Sequence, residues 1–120
     1  MTMAPLHHRG LGDRWATFSL VEQLGNVGSE VERTIRAHAS GNAVRFDGAL
    51  ARALELFDLT AADERWRGTR RREILRAREE FCRVFFDLTV DAKSAEGLQR
   101  YFLHFAQAAN RHRSSLRTTP

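Results

Sequence analysis

Apolar residues return every three or four positions through four successive segments, and no segment alternates between apolar and polar residues. That spacing lines side chains along one stripe of an α-helix, so the pattern calls for helices and leaves no candidate strand. The first stripe is Leu20, Leu24, Val27, Val31 and Ile35. Ser19 precedes it, with Glu22 three residues on, the spacing of a capping box in which hydroxyl and carboxylate each satisfy a free N–H. Ser40-Gly41-Asn42 stops this helix, because Gly or Asn adopts the left-handed conformation of a C-terminal cap. The second stripe, over 43–59, is Phe46, Leu50, Ala53, Leu54 and Phe57, followed by a polar segment over 61–68. The third begins near Thr69 and carries Ile74, Ala77, Phe81, Val84, Phe85 and Leu88, with a loop over 89–93. The fourth is capped at Ser94, has Glu96 in its first turn where a negative charge suits the helix dipole, and carries Leu98, Tyr101, Phe102, Phe105, Ala108 and Ala109.

Both prolines, Pro5 and Pro120, lie outside these segments, so no helix is forced to kink. Short connections make successive helices antiparallel neighbours. The expected fold is therefore all-α, an antiparallel up-down-up-down four-helix bundle over 15–112, with a flexible arm at 1–14 and a flexible basic tail at 113–120. Gly25 and Gly28 fall inside the first helix, where each costs about 1 kcal/mol relative to Ala. The expected return is a close approach of another helix, within the bundle or across a dimer. Phe81, Phe85, Phe86, Tyr101, Phe102 and Phe105 supply six rings from the second half. Phe85 and Phe86 point about 100° apart, so at least one leaves the stripe. Two readings stand, a homo-oligomer interface or a wide core stripe.

With 120 residues, 42% of them hydrophobic, one core is sufficient without covalent staples. The single cysteine, Cys82, excludes an internal disulfide and a cysteine-based zinc cluster, and is expected as a small buried hydrophobe of helix three. No apolar run approaches the roughly 20 residues of a membrane span, and 1–14 has no long apolar h-region. The expected setting is cytoplasmic, with no membrane partner.

The net charge of +4 is unevenly spread. Residues 19–64 hold four arginines against eight carboxylates, whereas 65–83 hold eight arginines against three, and 111–120 add three arginines and no acid. Arg65, Arg67, Arg70, Arg71, Arg72, Arg76 and Arg78 surround Trp66 at the start of helix three, and Arg111 and Arg113 extend the basic character into the tail. Guanidinium groups match phosphate oxygens in pairs, an exposed Trp stacks on a base, and free N–H groups at a helix start attract anions. This constellation predicts nucleic-acid binding, to RNA or DNA. The alternative is a solvated face with Glu73–Arg76 and Glu79–Arg83 pairs and a Trp66 that covers the bundle end.

Known catalytic arrangements are sparse. There is no Gly-rich phosphate loop, no dinucleotide fingerprint and no G-x-S-x-G elbow. No Glu has a His three residues later, His104 and His112 are two turns apart, and His7 and His8 sit in the arm, so no metal and no cofactor is expected. Glu79 and Glu80 diverge on the helix and make no facing acid pair.

Three stretches, Trp15–Arg33, Ala51–Arg67 and Arg76–Phe86 followed by Tyr101–Phe105, resemble a set of uncharacterised short bacterial four-helix proteins. That resemblance implies a fold and no activity. In architecture alone the chain is similar to the accessory variability determinant of diversity-generating retroelements. This likeness implies an oligomeric helical bundle that binds nucleic acid and a nucleic-acid enzyme, a reverse transcriptase. Arg33 and His38 have the R-x4-H spacing that resembles the catalytic signature of HEPN-type ribonucleases, where Arg and His act together on the scissile phosphate. Here Thr34 follows the Arg, and the spacing lies in the first helix, whereas the family's motif lies late in its bundle. The expectation from the whole sequence is a non-catalytic accessory or adaptor protein that is a homo-oligomer. A structural oligomer without nucleic-acid binding, and a HEPN-like ribonuclease, are the alternatives.

Overall fold

The computed structural model describes residues 12–86, 96–104 and 107. All regular structure among them is helical. A helical turn over 12–15 leads into α1 (Leu20–Ala39), α2 (Ala43–Ala61), a 3-10 turn (Glu64–Trp66), α3 (Thr69–Phe86) and a fourth helical stretch, α4, at 96–104. The boundary expected after residue 14 falls inside the first turn. Ala16 N–H donates to the Gly12 carbonyl, and Trp15 is only 3% exposed, so the turn over 12–15 packs on the core. The remainder of the expected arm, the loop at 89–93, the Ser94 cap, Leu88, Phe105, Ala108, Ala109 and the tail with Arg111 and Arg113 lie outside the described residues.

The helix ends follow the sequence closely. Ser19 Oγ accepts from Glu22 N–H at 3.1 Å while Glu22 Oε1 accepts from Ser19 N–H at 3.1 Å, which completes the capping box. At the far end Asn42 N–H reaches the Ala37 carbonyl and Gly41 N–H reaches that of His38. This doubled return satisfies carbonyls that the helix leaves open, and it needs the left-handed φ of 72° that Gly41 supplies. Asn42 then caps α2, its Oδ1 accepting from Arg45 N–H. A three-residue link thus closes one helix and opens the next. Helix α2 runs two residues beyond its expected end at Leu59, and the polar segment after it contains the 3-10 turn, with Asp63 as its N-cap.

The core gathers Trp15, Leu24, Val27 and Val31 with Ala53, Leu56, Phe57 and Ala61, then Ile74, Ala77 and Phe81, then Leu98 and Phe102. Every expected stripe contributes, and Leu56 is an addition that the second stripe did not include. Rings form a chain through the centre, with Phe57 5.8 Å from Phe102 and 5.6 Å from Phe81, and Phe81 5.4 Å from Phe85. Phe86 ends this chain, 6.4 Å from Phe85, and is 65% exposed, in line with the roughly 100° divergence of the two positions. Cys82 is half-buried rather than buried. At Gly28 a Cβ would lie 2.5 Å from Phe102 Cβ, so the predicted close approach is made inside the chain, by α4 on α1.

Candidate functional site

The arginines of 65–78 separate into two groups once the helix period is imposed. Four of the seven have partners, and three of these, Arg65, Arg71 and Arg78, hold the fold. Arg65 clasps Asp63, with Nη2 at 2.7 Å from Oδ2, and donates to the Phe18 carbonyl at 2.7 Å. Arg71 donates through Nε to the Ala61 carbonyl at 2.6 Å, covering the open C-terminal end of α2. Arg78 pairs with Asp58 of α2 at 3.0 Å, and Arg67 with Glu64 at 3.3 Å. The remaining three, Arg70, Arg72 and Arg76, are exposed and make no ion pair among the described residues. Glu73, the expected partner of Arg76, instead receives the Tyr101 hydroxyl at 3.0 Å, and Arg83 meets Glu80 at 3.3 Å.

Trp66 is not the exposed stacking ring of the nucleic-acid reading. It is half-buried against the core, and its Nε1–H donates to Gln23 Oε1 at 2.8 Å. The Arg65 guanidinium lies 4.4 Å from the ring centroid and covers it. Trp66 therefore closes one end of the helical core, the alternative that the sequence left open. Its partner Gln23 is fully buried and was absent from every sequence expectation. Gln23 Nε2 donates both to the Trp15 carbonyl at 2.8 Å and to Asp63 Oδ2 at 3.0 Å. Trp15 Nε1–H donates to Thr60 Oγ1 at 2.9 Å, and Thr60 Oγ1–H to the Leu56 carbonyl at 2.8 Å. These side chains come from the first turn, α1, the end of α2 and the 3-10 turn. A glutamine at position 23, beside Leu24 on the stripe, was the available signal.

The electrostatics of this end follow from the same contacts. The Arg65 guanidinium, followed by the Gln23 amide, holds the Asp63 carboxyl far below the ordinary carboxylate range, against an opposing effect of burial. A depressed folded-state value gives stability that is present above the unfolded value of 3.8 and is lost as pH falls below it. Acid titration of unfolding should therefore show a falling limb that starts near pH 4. In Asp63→Asn that limb should flatten, with stability at pH 7 already lowered. An unchanged limb would remove Asp63 as its source.

Tyr101 acts at the opposite extreme of pH. Burial first, and then the Glu73 carboxylate that accepts its hydrogen bond, push the phenol up to about 12. The neutral phenol is thus favoured in the folded chain. Its stabilisation is complete below the unfolded value of 10 and is lost as pH rises through about 12. Tyr101→Phe should abolish the part of the alkaline loss that lies between these values, as read by denaturant unfolding at pH 9 and pH 11.

The R-x4-H pair is not assembled around an open space. Arg33 Nη1 is 2.6 Å from Glu30 Oε1, and the His38 ring packs 5.4 Å from Phe46 and 5.1 Å from Phe85. Five helix residues separate their directions by about 140°. No group of three or more His, Cys, Asp and Glu side chains lies within metal-binding reach among the described residues. No helix among them is long and apolar enough to cross a membrane.

Comparison with known proteins finds no match to any family model, curated protein or solved structure. The resemblances noted above therefore rest on the quoted residues alone.

Proposed function

We propose that this chain is a non-catalytic accessory protein that binds nucleic acid, or docks on a nucleic-acid enzyme, through α3. The observation that carries this reading is the trio Arg70, Arg72 and Arg76, exposed on one helix without a carboxylate partner among the described residues. Arg71, Arg78 and Arg65 leave the interface and belong to the scaffold. Guanidinium groups held on a helix and not tied into an ion pair are free to exchange water for phosphate oxygens. The engagement of Arg33 with Glu30 and the ring contacts of His38 favour this reading over a ribonuclease.

The architecture we propose for it is the up-down-up-down bundle. Three sets of contacts support that arrangement. Trp66 and Asp63, beyond the end of α2, meet Gln23 near the start of α1. Asp58 and Ala61 of α2 meet Arg78 and Arg71 of α3 in reversed order. Tyr101 of α4 contacts Glu73 of α3, which makes the fourth helix a neighbour of the third.

The test is titration of single-stranded RNA and DNA against salt. Each phosphate contact on a single strand adds about 0.7 to the slope of log K against log salt. Arg70→Ala/Arg72→Ala/Arg76→Ala should lower that slope by about 2 and weaken binding at least tenfold at low salt. Unchanged binding by this triple variant, or no binding by the wild-type chain, overturns the reading.

A second reading, a homo-oligomeric protein-interaction module in which the arginines only keep the surface solvated, has its own observation. Phe86 is 65% exposed and Leu103 55% exposed, both in the second half of the chain. Light scattering that gives a defined oligomer, with no nucleic-acid affinity at low salt, would select it.

A further inference from the structure

Residues 19–64 are net acidic, yet the fold gathers their arginines. Arg33 and Arg36 of α1 and Arg45 and Arg52 of α2 line one open groove of about 570 Å³ between the two helices. Four of the eight carboxylates of the same segment are committed elsewhere. Glu22 caps α1, Asp58 pairs with Arg78, Asp63 with Arg65 and Glu64 with Arg67. One carboxylate lines the groove, that of Glu30, and its side chain is 9% exposed. It is neutralised by Arg33 at 2.6 Å and faces Arg52 at 3.9 Å. Arg36 meets Glu32 at 2.8 Å in an exposed pair that solvent weakens. Arg45 makes no ion pair among the described residues.

We infer that the groove between α1 and α2 is a second phosphodiester-binding surface, a site for the sugar-phosphate backbone of a nucleic-acid strand. The inference rests on the nucleic-acid reading above and adds a contact surface that α3 does not supply. Four guanidinium groups against the carboxylates of Glu30 and Glu32 leave the groove net positive. The floor is low, formed by Ala37, Ser40, Gly48 and Ala49, so a backbone can approach the helices closely. Arg45 and Arg52 are seven residues apart, about 10 Å along the helix. That length exceeds a single phosphate group, so the four guanidinium groups can meet successive phosphates of one strand. A second hollow shares Glu30, Arg33 and Arg52 and reaches Arg14, Phe18 and a further carboxylate, Glu55.

Gly48 gives a test that touches no arginine. A Cβ there meets nothing within 4 Å, so a side chain enters open space. In Gly48→Glu the new carboxylate sits four residues before Arg52 and lowers the groove potential. Gly48→Gln is the uncharged control, and both variants improve helix propensity. The readout is fluorescence anisotropy of a twelve-nucleotide uridine RNA and the matching thymidine DNA with the full chain. Gly48→Glu should bind at least fivefold more weakly than Gly48→Gln, and Arg36→Ala/Arg45→Ala should lower the salt slope by about 1.4. RNA and DNA weakened alike indicate phosphate contacts common to both strands, and a loss confined to one strand identifies the one that occupies the groove. Equal binding by the two Gly48 variants, with the α3 triple variant still impaired, overturns the groove and leaves the α3 reading standing. No binding of either strand by the wild-type chain overturns both. Binding of poly-glutamate but of neither oligonucleotide, lost in Gly48→Glu, also overturns the inference and assigns the groove to an acidic protein segment.

Discussion

Gly28→Ala should destabilise the protein by about 2 kcal/mol, whereas Gly48→Ala should stabilise it by about 1 kcal/mol. The two glycines lie inside helices and carry the same intrinsic penalty, so propensity alone predicts a gain of about 1 kcal/mol at both. At Gly48 nothing opposes that gain, because the added methyl meets no atom within 4 Å. At Gly28 the methyl would lie 2.5 Å from Phe102 Cβ and 3.1 Å from its Cγ. A Cβ is fixed to its own backbone and cannot rotate aside, so relief requires α4 to move away from α1. Phe102 is 2% exposed and touches Phe57, and that movement opens the centre of the core. Overpacking of this kind costs about 3 kcal/mol, which outweighs the propensity gain. Urea unfolding of the two variants measures the difference. A stabilised Gly28→Ala would mean that α4 does not rest on α1 at this point.

Gln23→Leu should cost about 3 kcal/mol even though it places a hydrophobic residue of similar length in a fully buried position. The glutamine amide bridges three elements by donating to Trp15 and Asp63 and accepting from Trp66. Leucine offers none of these, and it leaves the Trp66 indole N–H without its acceptor. A buried donor without a partner costs about 1–3 kcal/mol, and the lost bond to the ionised Asp63 adds to this. The Trp15 carbonyl keeps a second donor, Phe18 N–H at 3.1 Å, so it contributes little to the loss. A double-mutant cycle locates the effect. Trp66→Phe should be destabilising in the wild-type chain and nearly neutral in Gln23→Leu, with a coupling of about 1 kcal/mol. Independent effects of the two substitutions would show that the network is not a unit.

These two residues also mark where the sequence was legible. Gly28 stood out because a glycine inside an amphipathic helix carries a local cost, and local costs are visible along the chain. Gln23 did not, because its role depends on Asp63 and Trp66, forty and more positions away. The same distinction runs through the helix ends. The Ser19–Glu22 box and the Ser40-Gly41-Asn42 link involve residues within a few positions of one another, and both formed where the pattern placed them. Trp66 was ambiguous between stacking on a ligand and covering the core, and only the position of Gln23 beneath its N–H resolved that.

The helical character, the stripes that meet in the core and most of the caps are written in the order of the amino acids. Helical periodicity and capping act over three to five residues, so the chain carries that information locally. The use of charge came from helix packing instead. Along the chain, 65–78 is a dense run of arginines and 19–64 is acidic. In the fold, Arg65, Arg67, Arg71 and Arg78 are drawn into ion pairs and helix-end contacts, and Arg33, Arg36, Arg45 and Arg52 converge on one groove. A charge's availability depends on which carboxylates and carbonyls lie within a few ångströms in space, and packing of helices fixes those neighbours independently of their order in the sequence.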